Sequence, residues 1–487
     1  MTSIAPDQTG EGPMDDEAAP VLPLDRKLLI AGILGAIALT VVIASLVGAG
    51  DVKLIVYPVG AVVGAGLVYL ALTRFELFVL VCLFLRASLD ILGGRGTTIT
   101  NPSSLVSLLF MGASLLWLAG RAYRGERLRR SVMTAPLLFF AFACFLSTIT
   151  SRIHDVSLTE FSRILSVVVM ALVLERLATT PEAVRRIMIA ALGSALVPLV
   201  ASFGTYLIGA PLLDRRAALE DGIERVRGTF DQANGFSRYL LFIIIMAVAM
   251  YPHLPKKARV PMLIGISGLG VLMVLTYTRS SWLALLIGLM VVGWWQSKRL
   301  LLALVAIALG VALFVPSVVD RFGDLTSDNG PDTALTGEGN SLAWRLSYWS
   351  EVVSLAVDNP VTGIGLRVTE QVADGAKQPH NDFLRAYVEM GALGLMAYIA
   401  LLIALTRVAA RGLKDARAGW ERGVAVGFTG CLVSFVLVSL VANVMSQAVV
   451  LWYLFAFAAC ANAVGRFGWL DKKNALEAGG RPAPISA

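Results

Sequence analysis

The stretch Gln378–Leu405, QPHNDFLRAYVEMGALGLMAYIALLIAL, decides how the chain is read. From Gly391 onward it is apolar enough to enter a bilayer. Ahead of that, Pro379 ends the preceding loop and Asn381 or Asp382 can cap a helix. The pattern predicts one helix running unbroken from water into the membrane, with His380 fixed at its outer end. A neutral imidazole at that boundary, with an unperturbed pKa of ~6.5, can accept a proton.

The apolar character extends over the whole chain. Hydrophobic residues make up 57% of the 487 positions and charged residues 15%, with a mean hydropathy of +0.74. A soluble domain carries roughly 25% charged residues, so this composition belongs to a membrane protein. Apolar runs fall near 28–48, 54–72, 76–92, 103–119, 132–150, 161–178, 187–209, 236–252, 259–277, 281–296, 299–316, 391–409, 423–443 and 447–465. At ~20 residues per crossing these give an all-α, polytopic integral membrane fold of about 14 transmembrane helices.

Residues 1–26 carry Asp7, Glu11, Asp15, Asp16, Glu17 and Asp25 and are expected to form a disordered acidic tail without the features of a signal peptide. Spans 1–11 would occupy 27–316, a large extracytoplasmic loop 317–390, spans 12–14 residues 391–466, and a second cytoplasmic tail 467–487. Basic residues alternate between connections as the positive-inside rule requires, with Arg121, Arg124, Arg127, Arg129 and Arg130 in one, Lys256, Lys257 and Arg259 in another, and Arg407, Arg411, Lys414, Arg417 and Arg422 in a third. Both termini are then cytoplasmic. Two outward connections are long, 210–235 and 317–390, and an extracytoplasmic activity is expected there. Within the second, residues 341–358 place Leu342, Leu346, Trp349, Val353 and Ala356 at helical spacing, so an amphipathic helix is predicted, stopped by Pro360.

Cys82, Cys144, Cys431 and Cys460 all lie in apolar runs and read as small buried hydrophobes. Asp324, Asp328 and Asp332 lack calcium-loop spacing. No metal site or cofactor is expected, and the net charge of +7 follows membrane topology without a nucleic-acid partner.

Arginines complement the histidine. Arg227, Arg279 and Arg345 are all predicted on the His380 side. Arg279 sits between two apolar spans, where a guanidinium costs about 2.5–3.5 kcal/mol at a helix centre and less near the interface, so it needs a partner or a ligand. Guanidinium groups match phosphate oxygens and aromatic faces stack on sugars, and Trp282, Trp344, Tyr348 and Trp349 are close in sequence. A lipid diphosphate carrying a sugar suits such a set.

These residues resemble the O-antigen ligase and O-antigen polymerase superfamily of bacterial envelope glycosyltransferases. His380, Asn381, Gly391 and Gly394 match the family's histidine-to-glycine pattern. RGTFDQAN (227–234), TRSS (278–281) and the stretch from Arg345 and Trp349 to NPVTGIG (359–365) are similar to further family segments. The resemblance implies a GT-C-like enzyme of the bacterial inner membrane, with its site outside the cytoplasm and a metal-independent, inverting transfer. The donor would be a glycan on undecaprenyl diphosphate, and the acceptor a lipid A core or another lipid-linked repeat unit. It casts His380 as base, Arg279 and Arg345 beside it in catalysis, and Arg227, Asn234, Asn381, Tyr348 and Trp349 in substrate binding.

Plainer readings stand beside these. His380 can be a capping residue bonded to a loop carbonyl. Arg345 can lie on the solvated face of its helix, and Arg227 can join a surface ion pair with Asp221 or Glu224. Gly391 and Gly394 are expected to act through close helix packing. A flippase for lipid-linked oligosaccharides is the rival function, disfavoured because Arg86, Asp90, Arg163 and Glu175 lie towards span ends.

Overall fold

The computed structural model describes residues 53–90, 102–126, 131–208, 219–220, 223–314, 342–373 and 378–477. The predicted span at 28–48, the acidic tail and the polar stretch before residue 341 lie outside them. The remaining apolar runs all fall on helices. These are α1 (Lys53–Thr73), α2 (Phe75–Leu85), α3 (Pro102–Tyr123), α4 (Thr134–Ile149), α5 (His154–Leu177), α6 (Pro181–Gly193), α7 (Leu196–Ile208) and α8 (Ala233–Met250). They continue with α9 (Lys256–Leu275), α10 (Arg279–Gln296), α11 (Lys298–Phe314), α12 (Leu342–Ser354), α13 (Thr369–Val372), α14 (Asp382–Asp415), α15 (Trp420–Ser439) and α16 (Ala448–Glu477). A two-residue antiparallel pair, Leu219–Glu220 with Ile223–Glu224, is the only strand structure among the described residues.

Among the described residues eight helices are long and apolar enough to cross a membrane. The run at 76–92, read as a span, gives only the 11 residues of α2 before a tight turn at Arg86–Ser88, because Arg86 and Asp90 break the apolar pattern. The run at 187–209 bends at Ser194–Ala195 between α6 and α7, yet residues Pro181–Gly204 together count as one of the eight spans. Local chemistry sets the start of α6: Pro181 fixes the first turn, and the Thr180 hydroxyl accepts the Ala183 amide at 3.2 Å.

The helices α8, α15 and α16 form the centre, with 83%, 72% and 89% of their apolar windows buried, whereas α3 and α9 stand at the rim with 11% and 17%. Rim side chains such as Leu72, Leu116 and Ile264 are bare in a way that only hydrocarbon solvent accommodates. In the centre, glycines bring backbones together. Gly288 of α10 faces Gly430 of α15, where a Cβ on Gly430 would lie 2.8 Å from the Gly288 carbonyl oxygen.

The predicted unbroken helix from His380 into the membrane is broken at Gly391, where φ is 66° and ψ −166°. The reason lies in the loop 360–365. The Ala392 amide donates to the Pro360 carbonyl at 2.8 Å and Leu393 to Val361 at 3.2 Å. In return Ile364 donates to the Val388 carbonyl at 3.0 Å and Gly365 to Glu389 at 3.1 Å. Groups that the break releases from the helix ladder are thus re-bonded by the loop, as buried backbone requires. A Cβ on Gly391 would overlap the Val361 carbonyl, and one on Gly363 the Glu389 backbone. Close approach of the loop, in place of the expected helix-to-helix packing, explains Gly391.

Buried ions lock the same junction. Arg385, fully enclosed, donates to Glu389 at 2.9 Å and to Glu160 of α5 at 3.1 Å. Glu389 also accepts the Arg367 amide at 2.8 Å and the Thr369 hydroxyl at 3.2 Å. Above them Tyr348, Val352, Ala356, Ile364, Val368 and Val388 form a small second core that seats α12 against the start of α14. Helix α12 ends four residues earlier than the pattern to 358 predicts, its last turn tightening through Leu355 to Val352 and Ala356 to Val353 bonds.

We predict that Gly391→Ala lowers the thermal unfolding temperature of the detergent-purified protein, since positive-φ strain alone costs about 1–3 kcal/mol. Gly265→Ala, where an added Cβ meets nothing within 4 Å, should leave it unchanged. Equal transitions for the two variants would contradict the close approach described.

Candidate active site

Four helix starts converge at one end of the bundle, those of α8, α10, α14 and α16, together with the turn 440–447 between α15 and α16. Helix N-termini present amide groups and a partial positive charge. The side chains between them are polar and rich in arginine.

His380 heads α14 from a left-handed backbone position, φ 53°. Its Nδ1 lies 3.4 Å from the Asn443 side-chain amide. Asn381 caps α14, its Oδ1 accepting the Phe383 and Leu384 amides at 3.0 and 3.1 Å. Asp382 is buried and accepts the Val444 and Met445 amides at 3.1 Å each. Ser446 donates to Gln378 at 3.1 Å, and Trp349 of α12 donates through Nε1 to the Pro379 carbonyl at 2.6 Å. The segment carrying the histidine is therefore tied on both flanks. Tyr348 is buried in the second core, and Trp349 is half-buried beside Pro379.

A second group surrounds the first turn of α8. Arg225 donates to the Thr276 carbonyl at 2.8 Å, to Asn234 Oδ1 at 2.7 Å and to Thr278 Oγ1 at 2.9 Å. Thr278 also donates to Asn234 at 3.2 Å, and the Ser237 and Ser281 hydroxyls meet at 2.8 Å. Arg279, half-buried, opens α10 between these tied residues, and Tyr277 before it has φ 49°. Of three non-glycine residues with positive φ among the described residues, two therefore flank this site, at Tyr277 and His380. Such positions persist where surrounding bonds over-determine them.

Arg238 joins the two groups. It is 6% exposed, one turn into α8, and donates to the Asn443 carbonyl at 3.5 Å. Its Nε has no hydrogen-bond partner, nor do the buried Oδ1 of Asn443 and Oε1 of Gln447. The orphaned Arg238 Nε and Gln447 Oε1, beside Asn443 and His380, mark a place built for a polar ligand. Arg227 holds the turn before α8 through the Asp231 carbonyl at 3.4 Å, and that turn is anchored to the tight turn after α2 by Thr229 donating to the Ala87 carbonyl at 2.7 Å.

The structure links His380 to Arg238 through Asn443, and Asn234 to Thr278 through Arg225, with Asn381 and Arg279 next to these in the chain. Arg227 stands on the adjoining turn, and Arg345 on α12 by its backbone position. Sequence reading passed over Arg238, Asn443 and Arg225 as site residues. The signal for Arg238 was present as a single charge within the apolar run 236–252. Asn443, a lone amide in a short turn, carried none. No group of three His, Cys, Asp or Glu placed to hold a metal ion occurs among the described residues.

A comparison with protein families matches residues 263–399 to the family described as O-Antigen ligase. The match covers Arg279, Arg345, His380 and Gly391, and ends before Asn443. A comparison with curated proteins finds no match.

We predict that Asn381→Asp retains the cap while Asn381→Ala costs about 1 kcal/mol of stability, read as a lower unfolding temperature. Equal stability of all three proteins would free Asn381 for a ligand contact alone.

Proposed function

We propose that this chain, whose residues 263–399 match the O-antigen ligase family, acts as a member of the O-antigen ligase and polymerase superfamily and transfers a glycan from undecaprenyl diphosphate to an acceptor hydroxyl at the outer face of the bacterial inner membrane. The observation that carries this reading is the meeting of His380 with arginines and helix N-termini at one end of the bundle. A diphosphate leaving group asks for positive charge, and an acceptor hydroxyl asks for a base.

In the proposed step the acceptor O–H proton passes to His380 Nε2 as the oxygen attacks the anomeric carbon. The bond from that carbon to the diphosphate oxygen breaks on the opposite face, giving inversion, and its electron pair leaves with the diphosphate. No metal is used. Arg279 and Arg345 stabilise the charge that develops there, and Arg227 binds the diphosphate with Arg238 at hand. Asn234 and Asn381 order the backbone around the donor, while Tyr348 and Trp349 brace the segment that bears the histidine.

The base role fixes a tautomer. Nε2 must carry the lone pair, so Nδ1 must carry the proton and needs an acceptor. Asn443 supplies one when its amide is turned so that Oδ1 faces Nδ1, because the two amide atoms exchange places by a flip. Asn443 is thus a positioning residue. The acceptor is either a lipid A core, making the protein a ligase, or a second lipid-linked repeat unit, making it a polymerase.

The test supplies the purified protein with only an undecaprenyl-diphosphate-linked repeat unit and resolves the products on a gel. We predict that His380→Ala lowers turnover by roughly 10²–10⁴-fold. A ladder in the wild type alone identifies a polymerase, and transfer only after a separate acceptor is added identifies a ligase. Movement of the lipid across a vesicle bilayer without any transfer would replace both with a flippase.

A further inference from the structure

At the end of the bundle opposite His380, the start of α4, the last turns of α5 and α14 and the middle of α16 line a cavity of about 530 Å³. That volume lies in the range of small-molecule sites. Its wall carries four cations, Arg176, Arg411, Lys414 and Arg466, against two carboxylates, Glu175 and Asp415. Helix C-termini attract some positive charge by themselves. The arrangement here goes further, because the cations outnumber the carboxylates two to one.

Glu175 accepts from the Ser131 hydroxyl and, at 3.1 Å, from Asn462. Asp415 pairs with Lys472 at 2.9 Å. Among the described residues neither Arg411 nor Lys414 has an ion-pair partner, and both are exposed. Four cations against two carboxylates, one of them paired outside the wall with Lys472, leave the cavity lining net positive. Thr134, the first residue of α4, also lines it and brings a helix N-terminus to the same space. Apolar Val132 and Leu172 complete part of the wall, and Trp469, half exposed, stands at the rim as an interfacial anchor does.

We propose that this cavity binds the phosphodiester headgroup of an anionic phospholipid. The cations and the helix start fit the phosphate, while the apolar wall and Trp469 fit a ligand that continues into the bilayer. The basic connection containing Arg407, Arg411 and Lys414 is the one predicted to face the cytoplasm, where anionic headgroups meet juxtamembrane basic residues. The proposal is independent of the chemistry at His380.

The experiment titrates the full-length, detergent-purified protein with phosphatidylglycerol, with phosphatidylcholine and with inorganic phosphate, reading bound ligand by native mass spectrometry and unfolding temperature in parallel. Phosphatidylglycerol should bind and raise the transition of the wild type, and phosphatidylcholine should not. Each cation removed should weaken binding roughly five-fold, so Arg411→Gln with Lys414→Gln should weaken it roughly 25-fold. Glu175→Gln keeps the hydrogen-bonding shape, removes a negative charge and should tighten binding, a change of opposite sign that misfolding cannot mimic. Equal binding by the wild type and both variants, equal binding of the two lipids, or saturation by inorganic phosphate that displaces the lipid would each overturn the assignment.

Discussion

Everything around the histidine depends on one exchange of hydrogen bonds between the 360–365 loop and the broken turn of α14. A helix that opens in a low-dielectric interior must find new partners for the groups it releases. Here Pro360 and Val361 accept from beyond Gly391, and Val388 and Glu389 are met by Ile364 and Gly365. The two glycine-bearing segments, NPVTGIG and the MGALG stretch, are thus halves of one joint. Removing one half leaves the other with unsatisfied backbone.

The ions reinforce that joint at some risk. A buried Arg385 between Glu160 and Glu389 is held by good geometry and by added bonds from Arg367 and Thr369. Removing one partner of such a set leaves an uncompensated charge, which typically costs about 3–5 kcal/mol, whereas the intact set adds little net stability. Its value lies in register. It binds α5, α14 and the loop to each other at fixed positions, and that fixes the direction in which the segment with His380 leaves the bundle.

Much of this was legible in the sequence. Apolar runs located the helices, because twenty apolar residues in a row have few other fates. The capping role open to Asn381 could be read from its place before the helix start. The break at Gly391 could not, since a glycine in an apolar run reads equally as a packing contact, and only a distant loop distinguishes the two. In the run at 76–92 the helix stops sooner than the apolar count suggests, since α2 ends at Leu85, just before Arg86. Arg238 and Asn443 needed the fold, because a helix and a turn far apart in sequence supply them and they acquire meaning only where Asn443 reaches both Arg238 and His380.

The break also separates two mechanical demands. The helix after Gly391 must follow the thickness of the surrounding bilayer, and a span that is too long or too short adjusts by tilting. In a continuous rod that tilt would swing the imidazole through an arc at its tip. With the ladder interrupted at Gly391, the nine residues before it take their direction from the loop, the ion set and the 443–446 turn and not from the axis of the span. The place of the histidine is thus set by protein contacts and not by the slope of the helix that follows it.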